Sequence, residues 1–511
     1  MKKILITFLA LGVLASCEFD KGFEEMNVNP NSASQVGVAT KITKLQTDIS
    51  GSRYENWRNS LIYSSTIVQH HAENNWWAGD TYNRNDDWSF AQWNQAYGGM
   101  VKGVQDIIAQ LESEGDSGTH MGMARIMRVF IFHRVTDLYG DCPYSEAGKG
   151  YISGILTPKY DSQQDIYMDM LKELEEAVAQ ISGDGALGGA DVIFGGSAVK
   201  WKAFGNSMML RLAMRLTQVD AATAQAWAVK AIGGGTMTSN DHIASVKHGD
   251  GSSGRRNGHG EVFLVDQGSR ISTSFMSRMN GDPSKTRLFM RAGDKSQAVA
   301  DLVGMKNGLK NDPYTDLDGN DIPAAGDTSV YAMIATELQS LTAPMVLQTY
   351  AEVEFLKAEA AIRGWISTSD KDHYEAGVTA RMKMLEGIYG TAPIADADIT
   401  AFLAGDGAYK AGGSVAERWE QVMDQYFIAT YLNEYEAYAN WRRSGFPNIT
   451  ATRHPNSYTN GQFMVRMIYP TAESGSNAAN YAAAVANQGA DSYTTPLWLS
   501  LIHISEPTRP Y

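Results

Sequence analysis

Apolar residues recur at helical spacing along most of the chain, and this pattern predicts a mainly α-helical protein. In the first half of the chain, helices are expected at 38–71, 88–111, 121–139, 162–181 and 198–219. In the second half, they are expected at 344–365, 370–389, 414–441 and 477–488. Gly140 and Pro143 are expected to end the helix at 121–139, and Ser162 to cap the next one. Few strands are predicted anywhere.

A segment of different composition, 233–341, lies between these helical regions. It is rich in Gly, Ser, Asp and Asn, and part of it reads HGDGSSGRRNGHG. This is loop composition, and surface loops are where binding residues gather. The sequence therefore divides into a helical-repeat part (37–232), an irregular, loop-rich capping part (233–341) and a helical part returning to the core (342–498). Helix pairs with short turns are typical of a repeat array, although no tetratricopeptide consensus repeats in the sequence.

The first seventeen residues have the features of a secretion signal. Lys2 and Lys3 precede an apolar run at 4–14, which is too short to cross a bilayer. Leu14-Ala15-Ser16-Cys17 resembles a bacterial lipobox. We expect a signal peptide at 1–16, lipidation of Cys17 and a lipid anchor with an acidic tether at 17–36; a plain signal peptide with an incidental Cys is the alternative. The far end, 499–511, includes SLIHISEPTRPY, which resembles translated sequencing-adapter sequence, and we expect it to be an artefact without function.

The composition narrows the range of ligands that the protein could bind. The 511 residues include 43 Lys and Arg against 57 Asp and Glu, which gives a formal net charge of −14. A nucleic-acid partner is not expected, because binding phosphates requires a basic surface. The 11 Trp and 24 Tyr supply large amphipathic rings, which often serve recognition.

Carboxylates that could catalyse hydrolysis occur in two pairs. Glu352 and Glu354 lie two residues apart on a predicted helix, as do Glu434 and Glu436. Residues at that spacing point in different directions, whereas a glycosidase needs two facing carboxylates. We therefore expect no catalytic pair here and no enzyme.

A weak calcium candidate lies in NDPYTDLDGND, with Asp316, Asp318 and Asp321 as the possible ligands. The spacing does not match an EF-hand, and a polar turn is the alternative. The letters GxGxxG fit Gly249, Gly251 and Gly254, but no strand and helix are predicted around them. No cofactor is expected.

An aromatic segment between two predicted helices is the main candidate for a binding site. Rings alternate there with side-chain amides and an Arg, and the candidate ligand-binding residues are Trp76, Trp77, Tyr82, Asn83 and Trp88. Sugars present apolar CH faces and hydroxyl groups, so a sugar site needs flat rings and planar hydrogen-bonding groups together. Peptides can use the same kind of surface. The alternative is that the rings pack into the core and the amides cap helix ends.

The chain as a whole resembles the SusD/RagB family of nutrient-binding outer-membrane lipoproteins of Bacteroidetes, in its second, SusD-like branch. The resemblance runs from Cys17 to Trp498 and rests on several sequence blocks, of which the most distinctive is RVFIFHRVTDLYGDCPYSEA; others are FEEMNVNPNSA, WKAFGNSMMLRLAMRL, YAEVEFLKAEAAIRGW and YLNEYEAYANWRRSGFP. It implies tetratricopeptide-like helix pairs with an irregular capping part. It also implies a surface-exposed outer-membrane location and a SusC-like TonB-dependent transporter as partner.

The expected function follows from the aromatic segment and the resemblance together. We expect a non-enzymatic lipoprotein that captures an oligosaccharide at the cell surface and delivers it to the transporter. An oligopeptide ligand in the same transport system is the alternative. A surface glycosidase or peptidase, which would make the protein an enzyme rather than a binding protein, is a further hypothesis. Ligand residues vary with the nutrient in this family, so the resemblance assigns no contact residue.

Overall fold

A computed structural model describes residues 36–184, 187–251 and 255–500. The predicted signal peptide, Cys17, the acidic tether up to residue 35 and the terminal residues 501–511 lie outside this part of the chain. Within it, no helix is both long enough and apolar enough to cross a membrane.

Helices dominate the described chain, as the periodicity predicted. The longer ones are α1 (Val38–Ile49), α2 (Asn56–Ser65, π-helical), α3 (Val101–Glu114), α4 (Thr119–Tyr139), α5 (Gln163–Gln180), α6 (Ala198–Arg215), α7 (Ala221–Gly233), α8 (Gly258–Val265), α9 (Tyr350–Ile362), α10 (Asp370–Tyr389), α11 (Asp396–Ala404), α12 (Val415–Ala429), α13 (Glu434–Ser444) and α14 (Ala478–Gln488). Shorter helical turns lie before α3, at Asp86–Ser89, Ala91–Gln95 and Ala96–Met100, and elsewhere in loops.

Strands are few and short. They are β1 (His71–Ala72), β2 (Cys142–Pro143), β3 (Tyr160–Asp161), β4 (Ala244–Val246), β5 (Arg270–Ile271), β6 (Phe289–Arg291), β7 (Tyr314–Thr315), β8 (Asp321–Ile322), β9 (Ala332–Ile334) and β10 (Met345–Gln348). They form antiparallel pairs: β1 with β5, β2 with β3, β4 with β10, β6 with β9 and β7 with β8. Most of these strands lie in the capping part or tie it to the helices.

Several predicted helices are interrupted. The stretch 38–71 breaks after α1 at Gly51, whose φ of 85° suits a residue without a Cβ. The stretch 414–441 breaks between α12 and α13, where Leu432 has a φ of 68°. The residues before Tyr350 form strand β10 rather than helix, and α9 begins at Thr349, whose hydroxyl and Glu352 make a capping box. The helix at 162–181 is confirmed, with the Ser162 side chain accepting from the Asp165 N–H.

Helices adjacent in the chain pack against each other from α3 to α7, and α9 packs on α10, α12 and α6. Helix α4 is buried along almost its whole length, and every residue of α13 is buried. Helix α13 contacts α2, α4 and α12, so it lies where the first and last helical regions meet. Because α13 carries charged side chains, its burial requires partners for them.

A network of buried ion pairs supplies those partners. The Glu436 carboxylate lies 2.6 Å from Arg215 Nη2 and 3.3 Å from Arg211 Nε. Arg211 also contacts Glu352 on α9 at 2.6 Å, and Arg443 contacts Glu359 at 2.8 Å. Burial alone would raise the pKa of Glu436, but the charges of Arg215 and Arg211 lower it to about 2. The carboxylate is therefore ionised, and through Arg211 and Glu352 the network joins α6, α9 and α13.

We predict that Glu436→Gln destabilises the protein strongly, because it leaves Arg215 and Arg211 buried without their shared counter-charge. The free energy of unfolding should fall by about 3–5 kcal/mol, measured by urea denaturation followed by circular dichroism. Asp294→Asn is the matched control, since it removes the exposed ion pair between Arg291 and Asp294. The urea concentration at which this variant is half unfolded should stay close to that of the wild-type protein. Equal midpoints for the two variants would show that the network does not hold the core together.

Candidate ligand-binding site

The aromatic segment follows β1 and places its predicted contact residues at two depths. Trp77 is 0% exposed and Tyr82 is 1% exposed. Trp76, Asn83 and Trp88 are partly exposed. A side chain without exposed surface cannot touch a ligand, so Trp77 and Tyr82 are corrected here from contact residues to supports. The other three remain predicted contacts.

Trp77 is buried because the capping part provides a partner for its indole. Its ring N–H donates to Asp266 Oδ2 at 2.9 Å, and its backbone N–H donates to Glu73 at 3.0 Å. The same Asp266 oxygen accepts the indole N–H of Trp57 at 3.0 Å. One carboxylate, placed just after α8, thus fixes the orientation of two indole rings.

Tyr82 is held between the segment and the C-terminal region. Its backbone is left-handed, with a φ of 55°, and its ring is buried. The hydroxyl accepts the Thr452 N–H at 3.2 Å, and its carbonyl accepts the Tyr458 N–H at 3.0 Å. Burial raises the pKa of the Tyr82 hydroxyl, which stays protonated. Tyr82 therefore serves to fix the course of the chain between Trp77 and Trp88.

A second buried carboxylate fastens the segment to the capping part. Asp80 accepts hydrogen bonds from the Asn307 side chain at 2.5 Å and from the Gly308 N–H at 2.8 Å. Burial raises the pKa of Asp80 to about 6. Nearby, Asn74 Nδ2 donates to Asn311 Oδ1 at 2.6 Å. The capping part thus contacts the segment mostly from beneath.

Three indoles form a cluster at the surface, which we call the indole platform: Trp57, Trp76 and Trp88. The ring centroids of Trp57 and Trp76 lie 5.4 Å apart, as do those of Trp76 and Trp88, and both pairs meet edge to face. The Arg58 guanidinium lies over two of these rings, with Cζ 4.5 Å from the Trp57 centroid and 4.7 Å from the Trp88 centroid. Trp57 and Arg58, on α2, were not among the residues predicted from the sequence.

The amides of the segment shape the backbone around the platform. Asn85 Oδ1 accepts the Trp88 N–H at 3.2 Å and so begins the helical turn that carries Trp88. The buried Tyr63 hydroxyl donates to the Asn83 carbonyl at 3.0 Å and accepts the Asn85 N–H at 2.8 Å. The expectation that amides cap helix ends therefore holds for Asn85.

The platform continues towards a partly exposed tyrosine. Arg84 donates to the Tyr458 hydroxyl at 2.9 Å and also pairs with Asp86. Its Cζ lies 5.3 Å from the Tyr458 ring centroid, and Tyr458 is 54% exposed. The accessible surface therefore combines aromatic rings with amide and guanidinium donors, which suits the CH faces and hydroxyl groups of a sugar.

The calcium candidate forms a hairpin that uses its own carboxylates. Asp316 Oδ1 accepts the backbone N–H groups of Asp318 and Asn320 at 2.9 and 2.8 Å, inside the turn between β7 and β8. Asp318 pairs with Arg453 at 3.0 Å, and Asp321 accepts from the Thr315 hydroxyl at 3.1 Å. Within the described residues, no three His, Cys, Asp or Glu side chains are grouped to hold a metal. The geometry thus favours the polar turn.

Comparisons with known proteins agree with this architecture. A family model described as "Starch-binding associating with outer membrane", SusD-like, matches residues 30–470. No curated protein matches the chain. A solved structure named as a chitin-binding protein is 32% identical, with a TM-score of 0.81 over 91% of this chain and 100% of that one. A SusD-like protein of "Bacteroidetes AC2a" is 27% identical, with a TM-score of 0.79 over 91% and 100% of the two chains.

A third similar structure, titled a chitin-binding SusD homolog from Flavobacterium johnsoniae, is 22% identical, with a TM-score of 0.75 over 90% of this chain and 97% of that one; at this identity it shows the fold alone. Fold and comparisons together define a protein of the tetratricopeptide-like helical class with an irregular capping part. Since the family model spans most of its length, the chain belongs to the SusD-like family.

The adjacent residues Trp76 and Trp77 should respond very differently to truncation. Trp77→Ala removes a fully buried ring and leaves Asp266 with one donor fewer, so the free energy of unfolding should fall by about 3–5 kcal/mol. Trp76→Ala removes a partly exposed ring and should lower it by clearly less. Thermal and urea unfolding measure both variants. A steep loss for Trp76→Ala would show that the platform is core rather than surface.

Proposed function

We propose that the protein binds glycans at the cell surface through the indole platform. The observation that carries this proposal is the cluster of Trp57, Trp76 and Trp88 around one guanidinium at the junction of α2, the aromatic segment and the capping part. Stacking on rigid rings buries the CH faces of sugars at little cost in conformational entropy. Asp266 holds the indole of Trp57 in place, and Asn85 begins the helical turn that carries Trp88.

Oligosaccharides of β-linked N-acetylglucosamine are the ligands to test first. The similar structure at 32% identity is named as a chitin-binding protein, and the family model carries the description starch-binding. Both names refer to polysaccharides, so we rank a glycan above an oligopeptide for this site. A peptide panel remains the direct test of the alternative.

The carboxylates considered for hydrolysis support a binding role. Each lies beside a basic side chain: Glu352 beside Arg211, Glu354 beside Lys357 and His373, Glu434 beside His70, and Glu436 beside two arginines. Their function in the fold is to balance buried positive charge. We infer that the protein captures its ligand without cleaving it, and hydrolysis of a polysaccharide panel that a single carboxylate variant abolishes would overturn this inference.

We predict that Trp76→Ala and Trp88→Ala each weaken binding of chitin oligosaccharides by about thirtyfold, because a stacked ring contributes about 2 kcal/mol. Isothermal titration calorimetry measures the affinity, with melting temperatures recorded in parallel. Trp365→Ala is the matched control, since Trp365 is a partly buried Trp in a separate cavity between α9 and α10. Unchanged affinity for both platform variants would place the site elsewhere.

The location and partner follow from the family and from the N-terminal sequence. We propose that Cys17 is lipidated, that the protein lies on the outer-membrane surface and that it closes over a SusC-like TonB-dependent transporter.

A groove of about 710 Å³ lined by residues of α3, α4 and α5, including Arg128 and Glu173, is a suitable docking surface on the helical-repeat side. Ile152, which lines it, is 42% exposed. Large exposed apolar side chains next to a groove are typical of an interaction site.

The anchor prediction is that Cys17→Ala releases the protein from the membrane, because acyl chains supply nearly all of the attachment. Fractionation should be done in cells that lack the transporter, where persistent outer-membrane association of the variant would refute lipid anchoring. In cells that contain it, gently solubilised wild-type protein should co-purify with a large β-barrel over an interface of roughly 2,000 Å² or more. Purely monomeric protein from such membranes would contradict the partner assignment.

A further inference from the structure

Arg58 is unusual among the buried or half-buried arginines. Its Nε and Nη1 atoms are inaccessible and have no hydrogen-bond partner. Other arginines with a buried unpartnered nitrogen each form an ion pair through another nitrogen: Arg211, Arg215, Arg381, Arg418 and Arg466. Arg58 forms none with any residue that the structure describes. Buried donors without acceptors are costly, and their presence in a native structure requires an explanation.

The indoles hold Arg58 without neutralising it. The rings of Trp57 and Trp88 lie over the guanidinium, and that of Trp76 lies at 5.6 Å. Burial lowers the pKa of Arg58, and the nearby carboxylates of Asp87 and Asp266 act in the opposite direction. Ring faces attract a cation but accept no N–H···O hydrogen bond. The platform therefore contains a charged group whose hydrogen-bonding capacity is unused.

A second guanidinium lies on the same ring. Arg53 is exposed, and its Cζ is 5.4 Å from the Trp57 centroid. Like Arg58, it forms no ion pair among the described residues. Arg84, further along the same surface, differs because Asp86 already pairs with it. Two unpaired positive charges thus adjoin Trp57, in a chain whose formal net charge is −14.

From this arrangement we propose that the indole platform prefers glycans that carry an acidic group, with Arg58 as the residue that recognises the carboxylate or sulfate through Nη2, the guanidinium nitrogen that is not among its buried atoms. The inference rests on the proposed glycan-binding function and adds the class of sugar. A neutral hydroxyl would leave the guanidinium charge uncompensated. An anionic oxygen forms a charge-assisted hydrogen bond, which is about twice as strong as a neutral one.

The test compares two probes that share one backbone: a chitin oligosaccharide and the same oligosaccharide oxidised at C6 to carboxylates. The wild-type protein should bind the oxidised probe about tenfold more tightly at low salt, and the advantage should shrink as sodium chloride is added. Arg58→Met should abolish the preference and its salt dependence, while Arg58→Lys should keep part of both. Arg291→Met is the matched control and should keep the preference, because Arg291 lies on β6, outside the platform, and pairs with Asp294 at the surface.

The outcomes separate this inference from the function on which it rests. Equal binding of the two probes by the wild-type protein, or an equal loss for both in Arg58→Met, overturns the preference but leaves glycan binding intact. Binding of neither probe overturns both. Melting temperatures verify that Arg58→Met is folded, and Arg58→Lys supplies a second variant in which the side chain keeps its length and charge. A sulfated chitin oligosaccharide, used as a third probe, distinguishes sulfate from carboxylate as the preferred group.

Discussion

The ionised carboxylate of Glu436 between Arg211 and Arg215 is the interaction on which the rest of the structure depends. Removing three charges from water is expensive, and only close contacts with fixed geometry offset the cost. The pairing therefore specifies how α6 and α13 meet, and Arg211 extends the constraint to α9 through Glu352. The Arg211–Glu352 and Arg215–Glu436 pairs join residues 141 and 221 positions apart in the chain, so the network determines the long-range arrangement that local helix formation leaves open.

Helix α13 transmits that arrangement to the indole platform. Two residues before Glu436, the Glu434 carboxylate lies 2.6 Å from His70 Nδ1, immediately before β1 and the aromatic segment. The intervening Tyr435 donates to the Glu55 carbonyl at 3.2 Å, at the start of α2. Consecutive residues of one buried helix therefore hold the core and both elements that carry the indole platform. The surface is rigid because its supports belong to the most constrained part of the core.

The sequence predicted the parts of the fold that local physics decides. Helix α5 was identified with its cap because Ser162, an acidic first turn and a regular apolar stripe all agree. The break at Leu432 was not identified, because a left-handed Leu is imposed by packing rather than by residue preference. Helix α8 was hidden in glycine-rich sequence, although Asn257 caps it. Sequence blocks of the SusD-like family supplied the long-range architecture that periodicity could not.

Long-range packing, which local sequence patterns do not reveal, also determines how deeply each residue of the aromatic segment is buried. The sequence singled out the aromatic segment as a candidate binding site, but it could not show that Trp77 is buried more deeply than Trp76. That order depends on Asp266, which lies 189 residues from Trp77 in the chain. Trp57 was missed because it sits on a helix where an isolated Trp resembles an ordinary core residue. Only the folded chain brings its indole and that of Trp77 to one carboxylate oxygen.

Asp266 and Arg58 have opposite effects on the stability of the indole platform. Asp266 receives two indole N–H groups, so its burial is compensated and the ring planes are fixed. Two buried nitrogens of Arg58 have no acceptor, which costs stability. The ion network holds α13, and α13 holds α2, so the fold can tolerate this local cost in stability. Because the rings are already ordered, an acidic ligand that satisfies Arg58 gains that interaction without a large entropic loss.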